Sequence, residues 1–158
     1  MFRPMRREKQ AMSREECLEL LKSELRGVLA LSGDDGYPYA VPHNHYYCEE
    51  DGKLYFHSGR IGHKIDAIRA CPKACYNVID RGTPMEDHWA LRFRSVTVFG
   101  KLQIVEDEAK ALEISRLLSY RFTDDEQYIE NEIRGFGKAV LVFSMDIEHM
   151  TGKRIQER

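Results

Sequence analysis

Residues 91–105 alternate for longer than most single strands run: Val96, Val98, Leu102 and Ile104 fall on one face, Ser95, Thr97, Lys101 and Gln103 on the other. Gly100 interrupts the apolar face. Glycine there permits the sharp bend of a barrel corner, so the segment predicts a coiled sheet, not a flat one. The other periodic segments agree. Ser13, Glu16 and the stripe Leu18, Leu21, Leu25 predict a capped helix running to about Leu25 or Arg26. Strands follow at residues 28–31, 37–48, 53–58 and 73–79, and glycine- and aspartate-rich turns separate the first three into a meander. Pro38 and Pro42 cannot donate to a ladder, so residues 37–48 must form an edge strand or bulge near Pro42. Residues 81–90 read as a loop carrying Trp89. Residues 106–121 predict a helix with Ile114, Leu117 and Leu118 inward, and Thr123 with Glu126 a capping box that opens a shorter one ending at Gly135 and Gly137. Residues 138–149 predict a central last strand. Six antiparallel strands with helices inserted, not alternating, favour a small barrel over a doubly wound sheet.

Residues 54–68 hold the chemistry. Leu54, Tyr55 and Phe56 end a strand, Gly59 to Gly62 make a turn, and His63 opens a helix with Ile65 and Ile68 inward. Backbone N–H groups at such a junction point outward and favour an anion. The dipole contributes only about 0.3–1 kcal/mol, whereas a charge-assisted bond from Lys64 adds about 1.5–3 kcal/mol, so the lysine decides whether a phosphate is anchored. A solvated loop with an idle lysine is the plain alternative.

Four histidines cluster nearby: His43 and His45 on one face of a strand, His57 at a strand end, His63 at the helix start. His43, His45 and His57 could ligate a metal, but no carboxylate stands at ligand spacing on a neighbouring strand, and no metal is assigned. His57 and Ser58, being adjacent on a strand, point to opposite faces and make a poor nucleophile–base pair.

The chain has 158 residues, 32% of them charged, and a net charge of -2, which fits one domain of residues 1–158 and excludes a general nucleic-acid binder or a polybasic membrane protein. A basic arm, residues 1–12, carries Arg3, Arg6, Arg7 and Lys9 without a following apolar run. It reads as a solvated tail or, alternatively, a segment crossing onto a partner subunit. The expected location is cytoplasmic, with Cys17, Cys48, Cys71 and Cys75 reduced.

Residues 37–42 (YPYAVP), 51–58 (DGKLYFHS), 62–64 (GHK), 94–100 (RSVTVFG) and 151–153 (TGK) together resemble the nitroimidazole-resistance-type branch of the pyridoxamine phosphate oxidase-like flavoproteins. The resemblance implies an FMN-binding split barrel of six antiparallel strands with a Greek key order, and a homodimer with flavin at the subunit interface. By position it implies that Pro42, His43 and Asn44 lie against the flavin ring, that His57 and Ser58 sit by the ribityl chain and phosphate, that His63 and Lys64 hold the phosphate, and that Ser95 touches the flavin. His57 is the candidate catalytic residue, and Trp89 is a candidate to close over the ring. The true oxidases carry arginine where this chain has His63, and their C-terminal substrate segment, with Trp and Arg-x-His, has no counterpart in residues 150–158. The implied activity is therefore reduction of a small nitroaromatic or quinone-like acceptor, with NADH or NADPH as candidate donor. A non-enzymatic flavin or haem binder on the same barrel, with His43, His45 or His57 as axial ligand, is the alternative.

Overall fold

A computed structural model of the chain describes residues 1–86 and 89–156, apart from the side chains at 136 and 138. Ser13 and Glu16 form the expected capping box: Ser13 Oγ accepts from the Glu16 N–H at 3.2 Å and Glu16 Oε2 from the Ser13 N–H at 2.8 Å. The helix α1 (Arg14–Ser23) stops short of Leu25, because Glu24 is already extended and Arg26 pairs with Asn44 in the sheet. Cys17, Leu20 and Leu21 are its buried residues, and Leu25 is 39% exposed.

Strands β1 (Arg26–Ser32) and β2 (Pro38–Asn44) form a hairpin, as do β3 (Tyr46–Cys48) and β4 (Lys53–Gly59). The expected single strand over residues 37–48 is therefore two, divided at His45. The sheet, in which β5 (Lys73–Ile79), β7 (Leu91–Ile104) and β8 (Val140–Gln156) form the middle, runs β2-β1-β5-β7-β8-β4-β3, with β6 (Thr83–Pro84) paired to β7. β2 and β3 thus lie at opposite ends of the hydrogen-bonded path although one residue joins them. The sheet must curl until its ends meet, which is the geometry of a split barrel. Six strands carry it, and β3 and β6 are short additions. Proline is tolerated at Pro38 and Pro42 because β2 is an edge, as expected.

Gly100 sits at the register shift between β7 and β8, and a Cβ there would fall on the Asp146 carbonyl oxygen. The backbones approach too closely for any side chain. β8 lies between β7 and β4 but runs on to Gln156, so Thr151, Gly152 and Lys153 continue the strand instead of following it. Helices α2 (His63–Ala70), α3 (Glu108–Tyr120) and α4 (Glu126–Phe136) flank the sheet. The expected capping box before α4 does not form: Asp125 is its N-cap and accepts from the Tyr128 N–H at 2.9 Å, while Thr123 Oγ1 accepts from the Asp125 N–H. An aspartate one residue from the helix outcompetes the more distant threonine.

The core is built around Phe56, Tyr76 and Phe143, all fully buried; Phe56 and Phe143 stack at 5.1 Å and Tyr76 meets Phe56 edge-on at 5.0 Å. Burial of each such ring stabilises the fold by about 1.5–3 kcal/mol. The N-terminal arm is mostly exposed but touches the sheet near both of its ends. Phe2 stacks on His149 at 4.6 Å, and the Met12 N–H donates to the Gly152 carbonyl at 2.9 Å, so the arm lies on the chain's own β7–β8 pair. Among the described residues, no helix is long and apolar enough to cross a membrane.

Candidate functional site

Where β2 ends, the barrel seam opens into a cleft of about 350 Å³ lined by Arg26, Pro42, His43, Asn44, His57 and Lys64. The edge strand supplies three of these residues, β4 supplies His57 and the first turn of α2 supplies Lys64. Gly62 precedes that helix with φ of 118°, a backbone conformation that strains any residue with a side chain, and no side chain caps the helix. The first N–H groups of α2 are thus left uncapped by side chains.

Lys64 Nζ donates to His43 Nε2 at 2.8 Å. His43 therefore presents an unprotonated Nε2, and its Nδ1 lies 3.3 Å from the Asn44 carbonyl oxygen, which only accepts, so the proton sits on Nδ1. Burial, reinforced by the Lys64 charge, holds the His43 pKa down at about 4, and the ring is neutral at pH 7. The same two causes lower the His57 pKa, and burial lowers that of Lys64. His57 Nδ1 is buried with no hydrogen-bond partner among the described residues. The residue lines the cleft, and a buried polar atom without a partner beside it calls for an explanation.

His45 has a structural task. Its Nε2 lies 2.7 Å from the Leu21 carbonyl oxygen, its Nδ1 2.8 Å from the Tyr76 hydroxyl, and that hydroxyl is 2.7 Å from the His43 carbonyl oxygen. Leu21 O can only accept, so Nε2 carries the proton of the neutral ring, and the single Tyr76 hydroxyl proton bonds either His45 Nδ1 or the His43 carbonyl oxygen, not both at once. Burial first of all holds the His45 pKa down at about 4. This network pins the residue at which the chain switches from one sheet end to the other. Both ring nitrogens are engaged, which leaves His45 unable to ligate haem or a metal without breaking the seam. Among the described residues, no three His, Cys, Asp or Glu side chains gather as a metal site.

Five of the eight sequence-derived site residues meet in the cleft: Pro42, His43, Asn44, His57 and Lys64. Ser58, Ser95 and His63 do not line it. Ser58 follows His57 on β4, where alternation turns successive side chains to opposite faces. Ser95 pairs with Ile79 and Lys153 on the middle strands. His63 stacks on Tyr39 at 4.2 Å, and its Nε2 lies 3.5 Å from Asp34 Oδ2. Trp89 is 82% exposed and lines a different cleft with Arg6 and Arg7; its neighbours Asp87 and His88 lie outside the described residues. Sequence reasoning missed Arg26 and Tyr76: Tyr76 was visible only as a strand residue, and Arg26 was expected at the end of the first helix, whereas it opens β1.

A curled antiparallel sheet closed at one residue, with a basic cleft at its seam, defines a split-barrel protein. The family model described as pyridoxamine 5'-phosphate oxidase matches residues 13–154, and the chain belongs to that family. Solved structures agree on the fold. A candidate 5-nitroimidazole antibiotic resistance protein from Bacteroides thetaiotaomicron superposes with a TM-score of 0.77 at 21% identity, over 92% of this chain and 87% of that one. An FAD-binding protein from Mesorhizobium loti gives 0.65 at 24% identity, over 92% and 97%. An FAD- and haem-binding protein from Mycobacterium smegmatis gives 0.67 at 21% identity, over 93% and 73%. At these identities the likeness establishes the fold alone. No curated protein matches the chain.

Proposed function

We propose that the protein binds flavin mononucleotide in the cleft between β2, β4 and α2 and acts as a homodimeric oxidoreductase on a small nitroaromatic or quinone-like acceptor. The observation that carries the flavin reading is the cleft's donor set: Lys64, Arg26 and two histidines, with no carboxylate in its described lining. Such a site favours an anion. Lys64 and the first turn of α2 would hold the phosphate, and the edge backbone at Pro42, His43 and Asn44 would meet the polar edge of the ring. His57 Nδ1, the orphaned atom, would take a ribityl hydroxyl or face the acceptor. Flavin, when bound, supplies hydride and single-electron transfer. The chain's own part is to position it, to exclude water with Phe56 and Phe143 beneath His43, and to keep His43 and His57 neutral. Relatives named for FAD binding support the flavin class, and the relative named for nitroimidazole resistance supports the acceptor class.

The dimer reading rests on the outer face of the sheet, where Val28, Ile79 and Phe99 are 43%, 53% and 36% exposed. Ser95 lies on that face too, and can join the site only across a subunit interface. Sedimentation at micromolar concentration tests this, and a monomer that still binds flavin tightly would overturn it.

The test of function is the visible spectrum of the purified protein, followed by anaerobic NADH and then NADPH. Flavin bands that bleach are the expected result. A Soret band would instead favour haem binding on the same barrel, and no chromophore after incubation with FMN would sink the flavin reading. With flavin bound, His57→Phe should keep the bands and slow acceptor reduction; unchanged turnover would remove His57 from the reaction.

A further inference from the structure

The position where a phosphate contact was expected, His63, is turned toward Tyr39 and Asp34 and does not line the cleft. The cation that does line it beside Lys64 comes from a different element: Arg26, the first residue of β1. We propose that Arg26 is the second cation of the anion site, so that a terminal phosphate is clamped between β1 and α2 instead of resting on α2 alone. This rests on the flavin reading of the cleft and assigns the group that recognises the phosphate end.

Arg26 is prepared for the task by its own bonding. Its Nε donates to Asn44 Oδ1 at 2.7 Å, which orients the guanidinium plane, while its two Nη groups make no hydrogen bond among the described residues. An arginine held in this way keeps an outer pair of donors with the spacing of two phosphate oxygens. Lys64 is tethered to His43. The two cations are therefore anchored to consecutive residues of β2, and both reach the same cleft from elements of regular structure. Rigid elements place a charged pair more reproducibly than loops do.

Charge balance narrows the ligand to groups that carry about two negative charges. Two cations without a carboxylate in the described lining match a phosphate monoester, which brings about two negative charges at pH 7, better than a diester, which brings one. A lone lysine would leave half of that charge uncompensated. The Lys64 contact with a neutral histidine is one that an incoming phosphate can replace, since an ammonium bonds a dianion more strongly than an imidazole nitrogen.

The experiment measures binding of FMN and of riboflavin, which has the same ring and no phosphate, to the full chain and to Arg26→Gln, Arg26→Lys, Lys64→Ala and His63→Gln, by quenching of flavin fluorescence. Arg26→Gln should lose FMN affinity tenfold or more and hold riboflavin within about twofold. Arg26→Lys should fall between the two, and His63→Gln should match the unaltered chain. Unchanged FMN affinity in Arg26→Gln with a loss in Lys64→Ala would overturn the role of Arg26 while the cleft stands. No loss in either variant would overturn the cleft reading as well. Equal loss of FMN and riboflavin in Arg26→Gln would make the residue a support for the ring or the fold, and the proposal would fail. A loss in His63→Gln as large as that in Arg26→Gln would also count against it.

Discussion

Lys64 is the residue on which the anion site depends most directly, because it combines a full charge with a place in the first turn of α2. Replacing it with alanine should weaken FMN binding about tenfold to a hundredfold, the worth of one charge-assisted hydrogen bond. Equilibrium titration with FMN checks this, and an unchanged constant would remove Lys64 as the anchor. The loss should come without loss of fold, since the lysine leaves only a neutral histidine behind. His43 and His45 look alike in the sequence, two residues apart on one strand, and the structure gives them different work. His43 lines the cleft, and His45 holds the seam through Leu21 and Tyr76. Their spacing was legible; the partners that separate them lie on α1 and β5, 24 and 31 residues away.

Among the elements, α1 depends on a distant one. Its last carbonyls have no intrahelical donors, and Arg121, just beyond α3, donates Nη1 to the Lys22 carbonyl at 2.7 Å and Nη2 to the Glu24 carbonyl. A charged side chain here does what a glycine cap does in many helices. Arg121→Ala should cost about 1.5–3 kcal/mol of stability, read as a lower urea midpoint, with flavin binding little changed. A midpoint equal to that of the unaltered chain would show those carbonyls to be adequately solvated by water. For β7 and β8, Gly100→Ala places a methyl group on the Asp146 carbonyl oxygen, where neither backbone can yield cheaply. A destabilisation of at least about 1–3 kcal/mol is expected from thermal unfolding, and a neutral effect would show that the ladder can slide at the register shift.

At the level of the whole molecule, two buried neutral histidines make stability depend on pH. His43 and His45 have pKa values near 4 in the fold, against an ordinary value of 6.5. Between those limits the unfolded chain binds protons that the folded chain refuses, so stability is fully present above about pH 6.5 and falls as pH drops toward 4. Each ring contributes up to about 3 kcal/mol to the change. Urea midpoints at pH 7.5 and pH 5 measure it, and His45→Asn should flatten the slope. A curve level through this window would mean that the rings are protonated in the folded state. The barrel class, the capping box at Ser13, an irregularity of the long strand at Gly100, the edge at Pro42 and the placement of Lys64 at a strand-to-helix turn were all legible along the chain, because periodicity, proline and glycine act through local backbone geometry. The partition of residues 37–48 between two sheet ends, the docking of Phe2 on His149, the turning of His63 toward Asp34 and the arrival of Arg26 beside Lys64 were not. These depend on which surfaces meet once the sheet curls, and no local pattern encodes a contact between residues that closure alone brings together.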